Sequence, residues 1–243
     1  MIYQSKLLVI LATYNEIDNL PRLIHQLNEH LEHADVLIID DSSPDGTGNW
    51  AQQLSEKSSQ VEVIHRSQKS GLGSAAVAGF QWALERDYEL IATLDADLSH
   101  DPGSLAKMVA TMDKTENRDL ELALGSRYVE GGKTEGWPLT RRLASRLVNF
   151  YSRLVLRLKT RDNSGAFRIY RRSAIEQIDL SSLKSDDFAY LQEIVWRLKK
   201  MNIKMKEFPI TFRNRTRGKS KATISMGIGI FWKITKMAIG LWR

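Results

Sequence analysis

Two carboxylates spaced i, i+2 close an apolar segment, Leu90-Ile91-Ala92-Thr93-Leu94-Asp95-Ala96-Asp97. The apolar run reads as a buried strand. Strand side chains alternate faces, so Asp95 and Asp97 leave its end in one direction. Two like charges placed that way repel each other and lose hydration. A divalent cation offsets both costs, and hard cations such as Mg²⁺ take one or two carboxylates together with the oxygens of a bound phosphate. The segment therefore points to a metal–diphosphate site. Taken alone it also fits a strand followed by a polar turn, where Asp is common.

A nucleotide diphosphate would need further partners. Glu16, Asp40 and Asp41 suit the base and ribose. No Gly-x-x-x-x-Gly-Lys-Ser/Thr loop is present, and Gly71-Leu72-Gly73 is not a dinucleotide fingerprint. Phosphate contacts are then expected from a cation and from Arg and Lys. Arg213, Arg215, Arg217, Lys219 and Lys221 alternate through a stretch with Gly218 and Ser220, as in a lid that closes on phosphates. A solvated or nucleic-acid-binding loop is the alternative, although no aromatic residues interleave it as in a single-strand platform.

The elements that must position these residues follow from hydrophobic period and turn chemistry. Leu7–Ala12, Val36–Ile39, Val61–His65, Leu90–Leu94 and Leu120–Gly125 read as buried strands. Asp18–His33, Asn49–Lys57, Ser74–Arg86 and Pro102–Met112 read as the helices between them. Such alternation means βαβ units and a mostly parallel sheet. Ligands of such sheets sit beyond the carboxyl ends of the strands. Three of those ends carry Thr13-Tyr14-Asn15-Glu16, Asp40-Asp41-Ser42 and Asp95-Ala96-Asp97, so all three are expected at one edge.

The second half differs in charge. Residues 1–126 hold 9 Lys and Arg against 20 Asp and Glu, and residues 127–243 hold 26 against 9. That asymmetry implies an anionic partner for the second half: nucleic acid, a phospholipid surface or a phosphorylated substrate. Within Arg141–Leu158, the apolar residues Leu143, Leu147, Phe150, Tyr151, Leu154 and Leu158 form one stripe. Arg142, Arg146, Arg153 and Arg157 form a neighbouring one. The pattern fits an interfacial helix, a helix gripping an anion, or a core helix with a solvated flank. Asp187–Lys200 reads as a helix and Ile203–Phe212 as extended edge structure. Thr223–Trp242 reads as an amphipathic helix lying on a membrane or packed on the domain. Its apolar run Met226–Trp232 is far shorter than the ~18 residues a span needs. The absence of cysteine excludes disulfides, thiolate zinc sites and a cysteine nucleophile. Met1–Lys6 runs straight into a strand pattern, so no signal peptide is expected.

The assembled motifs resemble the polyprenol-phosphate (dolichol-phosphate) mannose synthases, members of the family 2, GT-A type glycosyltransferases. The resemblance rests on Thr13-Tyr14-Asn15-Glu16, Asp40 through Thr47, Gly71-Leu72-Gly73, Asp95-Ala96-Asp97-Leu98-Ser99-His100-Asp101-Pro102, Gly125-Ser126-Arg127-Tyr128, and Pro209-Ile210-Thr211-Phe212 through Arg215 to Lys221. It implies an α/β fold of GT-A (Rossmann-like) type, with helices flanking a mostly parallel sheet and C-terminal amphipathic helices. One domain is expected over residues 1–221, divided into a nucleotide part (1–126) and an acceptor part (127–221). An interfacial helix over 222–243 would follow.

The resemblance further implies transfer of mannose from GDP-mannose to a polyprenyl phosphate at a membrane surface. The protein would be cytoplasmic and peripheral, with no nucleic-acid partner and with its oligomeric state left open. Asp95, Asp97 and Ser99 would hold Mg²⁺ or Mn²⁺. Ala12, where the family usually has Pro, would line the nucleotide pocket with Tyr14, Glu16, Asp40 and Asp41. Arg215 and Lys221 would close on the donor diphosphate. Arg127, Arg141 and Ser145 would hold the acceptor phosphate, with Asp95, Asp97 and Arg127 forming the catalytic set. Two departures fall near the expected acceptor side. Asp162-Asn163-Ser164-Gly165-Ala166-Phe167-Arg168 aligns with a block that usually reads Asp-x-Thr-Ser-Gly-Phe-Arg and departs from it at small residues, and Leu191 stands where Gln is usual. A UDP-glucose donor, or a saccharide hydroxyl acceptor with Asp186 or Asp187 as base, is the rival within the fold. A non-catalytic module docking through its basic half is the rival outside it.

Overall fold

The computed structural model describes residues 3–215 and 224–242. Its centre is a seven-stranded sheet of β1 (Leu7–Thr13), β2 (Asp35–Asp40), β3 (Val61–His65), β4 (Leu90–Thr93), β5 (Leu122–Ser126), β7 (Arg168–Arg171) and β8 (Met205–Pro209). The spatial order is β3-β2-β1-β4-β7-β5-β8, and a two-stranded parallel ribbon of β6 (Lys133–Glu135) and β9 (Thr211–Arg213) stands apart. All pairings in the large sheet are parallel except those of β7, which is antiparallel to β4 and β5.

The period of two along β1 divides the core. Leu8 and Ile10 enter one apolar cluster, while Leu7, Val9 and Leu11 enter the other. The second cluster is covered by α1 (Leu20–His30), α2 (Thr47–Ser55) and α4 (Pro102–Met112). The first is covered by α3 (Leu72–Leu84), α6 (Arg172–Glu176), α7 (Tyr190–Lys200) and α8 (Ile224–Ala238), which adds Ile234 and Met237. The α8 helix therefore packs on the domain through one face, and Trp232 stays exposed. Gly79 lets α3 approach the sheet, because a Cβ there would stand 2.8 Å from Ile10.

Helix α5 (Leu139–Leu156) is turned the opposite way from an ordinary amphipathic helix. It buries Asn149, Ser152 and Leu156 and exposes Leu139, Leu143, Leu147, Phe150 and Leu154, each by more than half. The stripe is divided: Leu143, Leu147, Phe150 and Leu154 face outward, whereas Tyr151 packs on Phe231 of α8 and Leu158 is buried.

Strand β7 was not expected from the sequence. It has only four residues with an arginine at each end, too short and too polar to carry a strand signal. Arg168 is fully buried and serves carbonyls instead of a carboxylate. Nε donates to the Gly165 carbonyl, Nη1 to that of Leu191 and Nη2 to that of Asn163, at 2.8–2.9 Å. Leu191 is thus a core residue whose backbone is tied to β7. Replacing Arg168 by Met would strand these acceptors away from water. The expected loss is roughly 3–5 kcal/mol in denaturant unfolding, and a loss below ~1 kcal/mol would refute this role.

Candidate active site

The strand order reverses between β1 and β4, and the crevice at their carboxyl ends is where such sheets take ligands. The three loops expected at this edge meet there. Each holds a non-glycine residue at positive φ: Asn15 (57°), Ser42 (57°) and Leu98 (62°). Such left-handed backbone costs about 1–2 kcal/mol per residue and clusters at functional sites. The first two loops brace each other. The amides of Asn15, Glu16 and Ile17 donate to Ser43 Oγ, Thr47 Oγ1 and Asp45 Oδ2 at 2.9–3.1 Å.

Asp95 and Asp97 leave the end of β4 together. Asp97 is buried; its Oδ1 accepts from the Ser99 amide at 3.0 Å, and its Oδ2 pairs with Arg215 Nη2 at 2.9 Å. Asp95 keeps about a third of its side chain exposed. Desolvation, and then the neighbouring Asp97 charge, push its pKa up to about 7. The buried Ser99 hydroxyl has no hydrogen-bond partner among the described residues. Behind them His100 stacks on Phe167, and its Nδ1 accepts from the Asp95 amide at 3.2 Å. Burial lowers its pKa to about 4, so it is neutral at pH 7 and fixes the Asp95 backbone without adding charge. Asp101 then caps α4 through the amides of Gly103 and Ser104, which ends the loop.

On the nucleotide side the two β2 carboxylates differ. Asp40 is consumed by its own turn, accepting from Thr13 Oγ1, Ser43 Oγ and the Ser43 amide at 2.6–2.9 Å. Gly48 is required beside it, since a Cβ would stand 2.7 Å from Asp40 Oδ2. Asp41 pairs with Arg66 at 3.1 Å. Tyr14 lies under Lys69, whose Nζ is 4.3 Å from the ring centroid. Glu16 is buried and accepts from Asn19 Nδ2 at 2.9 Å. Ala12 is half-buried in β1, beside Ile39. Lys221 lies outside the described residues, as do Arg217 and Lys219.

The acceptor side contains an arrangement that sequence reasoning missed. Arg127 is held in a buried fork by Asp162, Nε to Oδ2 and Nη2 to Oδ1 at 2.7 Å each, and its amide donates to Asp162 Oδ2 at 3.0 Å. Burial opposes its charge, but the Asp162 carboxylate outweighs that effect and raises the arginine's pKa. Asp162 was visible only as the start of an unpatterned Asp-Asn-Ser-Gly segment, and nothing in its spacing named Arg127. Two further residues hold that segment. Glu207 on β8 accepts the amides of Arg161 and Asp162 at 2.7 and 2.9 Å. Asn149 on α5 accepts the Asn163 amide at 2.7 Å and donates to Ser164 Oγ at 2.8 Å.

Arg141 stacks over Trp137 at 4.0 Å. Partial burial, and then the charges of Arg215 and Arg127, lower its pKa, so three cations converge opposite Asp95 and Asp97. Ser145 accepts a 2.6 Å hydrogen bond from the Tyr128 hydroxyl. The rival bases are engaged elsewhere. Asp187 accepts from the Ala189 amide and pairs with Lys233 at 3.0 Å, and Asp186 also faces Lys233. Among the described residues no cluster of three or more Asp, Glu or His could hold a metal.

Residues 8–179 match Glycosyl transferase family 2. The chain is 38% identical to an undecaprenyl-phosphate mannosyltransferase of Micrococcus luteus, over 89% of this chain and 87% of that protein. It is 37% identical to a polyprenol monophosphomannose synthase of Mycolicibacterium smegmatis, over 97% and 88%. The fold is similar to that of glucosyl-3-phosphoglycerate synthase from Mycobacterium tuberculosis, solved with Mn²⁺, UDP and glucosyl-3-phosphoglycerate. The TM-score is 0.68 at 12% identity, covering 97% of this chain and 79% of that one.

The raised Asp95 pKa has a consequence for stability. Its carboxyl stays protonated in the folded protein up to about pH 7, but ionises near pH 4 when unfolded. Its contribution is therefore complete below about pH 4 and is lost as pH rises through about 7. The lowered His100 pKa acts in the opposite sense, with a contribution complete above about pH 6.5 and lost as pH falls toward about 4. Between about pH 6.5 and 8, Asp95 is then the changing group. The metal-free protein should lose thermal stability across that interval, and Asp95→Asn should flatten the loss. A variant whose midpoint falls as steeply as the parent's would remove Asp95 as the cause.

Proposed function

The chain belongs to glycosyl transferase family 2, and from that premise we propose that it moves mannose from GDP-mannose to a polyprenyl phosphate. The observation that carries this reading is the meeting of Asp95 and Asp97 with Arg127, Arg141 and Arg215 at one crevice. The names of the relatives supply the sugar and the lipid class.

Asp95, Asp97 and Ser99 would hold Mg²⁺ or Mn²⁺. The donor set is all oxygen, and the buried Ser99 hydroxyl lacks a partner, which fits a hard cation that draws its remaining ligands from phosphate. A cation held by these residues would supply neutralisation of the charge on the departing diphosphate. Tyr14, Glu16 and Asp41 contact the nucleoside, with Ala12 in the pocket wall. Asp40 supports them by holding its turn. Arg215, which faces Asp97, exchanges that partner for the donor diphosphate.

The reaction is one displacement. An acceptor phosphate oxygen donates a lone pair to the anomeric carbon, the bond to the diphosphate oxygen breaks, and that electron pair leaves on GDP with inversion. A phosphate monoester, with a second pKa of about 6, is already anionic at pH 7, so no general base is needed. Arg127 and Arg141 align it, with Ser145 alongside. Asp162 fixes the plane of the Arg127 guanidinium, which makes the alignment directional.

The acceptor's tail must lie in a membrane, and α5 supplies the contact. Its five exposed apolar side chains represent roughly 5–9 kcal/mol of unrealised burial, an amount that lies flat on a lipid surface instead of in water. No helix among the described residues is long and apolar enough to cross a membrane.

The test is turnover of GDP-mannose, Mg²⁺ or Mn²⁺ and a short polyprenyl phosphate to the mannosyl lipid. Asp97→Asn should cost at least ~10²-fold in kcat. Asp187→Ala should stay within about threefold, since a phosphate acceptor needs no base. Faster turnover with UDP-glucose would overturn the donor. Abolished turnover in Asp187→Ala would overturn the acceptor.

A further inference from the structure

A cavity of about 460 Å³ opens beside the buried fork, under one flank of α5. Arg127 lines it after β5, Arg146, Phe150 and Arg153 line it from the helix, and Arg161 lines it from the following loop. No Asp or Glu lines it. Arg127 is already matched by Asp162 and Ser164. Arg146, Arg153 and Arg161 are exposed and make no ion pair among the described residues. Three unpaired guanidiniums around one hollow repel each other and leave a strong positive potential, which a bound anion relieves.

We propose that this cavity is a second anion site, which takes the phosphate headgroup of an anionic phospholipid. Phe150 identifies the occupant, because it lines the cavity and also belongs to the exposed apolar face of α5. The hollow therefore opens at the margin of a greasy strip, a layout that matches one molecule with an anionic head and apolar tails. A free phosphate has no use for the strip. Arg127 stands between this cavity and the proposed acceptor seat, but Arg141 and Ser145, the other residues of that seat, are not part of this lining. Arg146 and Arg153 are seven residues apart, about two helical turns or ~10 Å along one flank, so they bracket a headgroup instead of sharing a single oxygen. The site rests on the membrane placement of α5 proposed above, and it would set that helix's depth and give the enzyme a preference for anionic bilayers.

The experiment compares the full chain with Arg146→Gln/Arg153→Gln/Arg161→Gln in co-sedimentation with vesicles. One set of vesicles is phosphatidylcholine alone, and the other is phosphatidylcholine mixed with phosphatidylglycerol. The parent should prefer the anionic vesicles by about hundredfold, given the gain per basic residue near such a surface. The triple variant should lose that preference while binding phosphatidylcholine as the parent does. Its KM for polyprenyl phosphate in non-ionic detergent should be unchanged. A variant of equal charge loss at distant exposed positions, Lys107→Gln/Lys114→Gln/Arg118→Gln, should retain the preference. The site is overturned if the first variant keeps the preference, or if the distant variant loses it equally. It is also overturned if the detergent KM rises tenfold, which would make the cavity the acceptor's own seat. Parent protein that binds neither vesicle would instead overturn the membrane placement itself. Because all three side chains are exposed and Gln is a good helix former, folding of the variant is checked by its unchanged detergent kcat.

Discussion

The fork between Arg127 and Asp162 is the constraint on which the acceptor half depends. It is buried, bidentate and reinforced by the Arg127 amide, so neither partner can leave without abandoning an uncompensated charge away from water. The fork also ties chain segments that have no other reason to meet. Arg127 follows β5, Asp162 precedes β7, and Glu207 on β8 holds the amides of Arg161 and Asp162. One hydrogen-bonded knot thus joins the end of β5, the segment leading into β7 and the middle of β8. Asn149 adds α5 to it through the Asn163 amide and the Ser164 hydroxyl.

Across the crevice the electrostatic problem is reversed. Asp95 and Asp97 repel each other, and the folded protein limits the cost by protonating Asp95 and pairing Asp97 with Arg215. On the other side, Arg141 is destabilised by Arg127 and Arg215. Each half therefore holds unfavourable charge that a ligand of opposite sign would relieve. A cation beside the carboxylates and a phosphate beside the arginines would do so together, and the ion pair between Arg215 and Asp97 is one that both ligands would compete to break. Charge asymmetry along the chain, visible as a simple count, becomes in three dimensions a division between two walls of one site.

The donor side was largely legible in the sequence. Strands β1 to β5 and their helices followed from apolar period and turn residues, and the rule that ligands lie beyond strand ends placed Glu16, Asp41, Asp95 and Asp97 together. The acceptor side was not. Strand β7 is short and flanked by arginines, and Arg168 inside it looks like a surface residue until three carbonyls are found waiting for it. Asp162 and Glu207 lie in segments without amphipathic pattern, and their partners are 35 and 45 residues away. Hydrogen bonds between such distant groups leave no spacing to read. For α5 the stripe itself was found, but its direction was not, because a helical pattern gives the angle between faces and says nothing about which one meets the core.

The reversed orientation of α5 follows from the knot. Asn149 meets the Asn163–Ser164 loop with both its amide oxygen and its amide nitrogen, and the Tyr128 hydroxyl reaches Ser145 one turn earlier on the same helix. These polar contacts fix the rotation of the helix about its axis, and the apolar residues on the opposite side must then face outward. The apolar surface left exposed is therefore a consequence of holding Arg127 in place: the helix that steadies the buried arginine is the one that carries the exposed apolar strip. A substrate whose phosphate must reach the crevice while its tail stays in a bilayer requires those two functions at a fixed separation. A single helix, polar inward and apolar outward, sets that separation by its own diameter, about 10 Å with side chains.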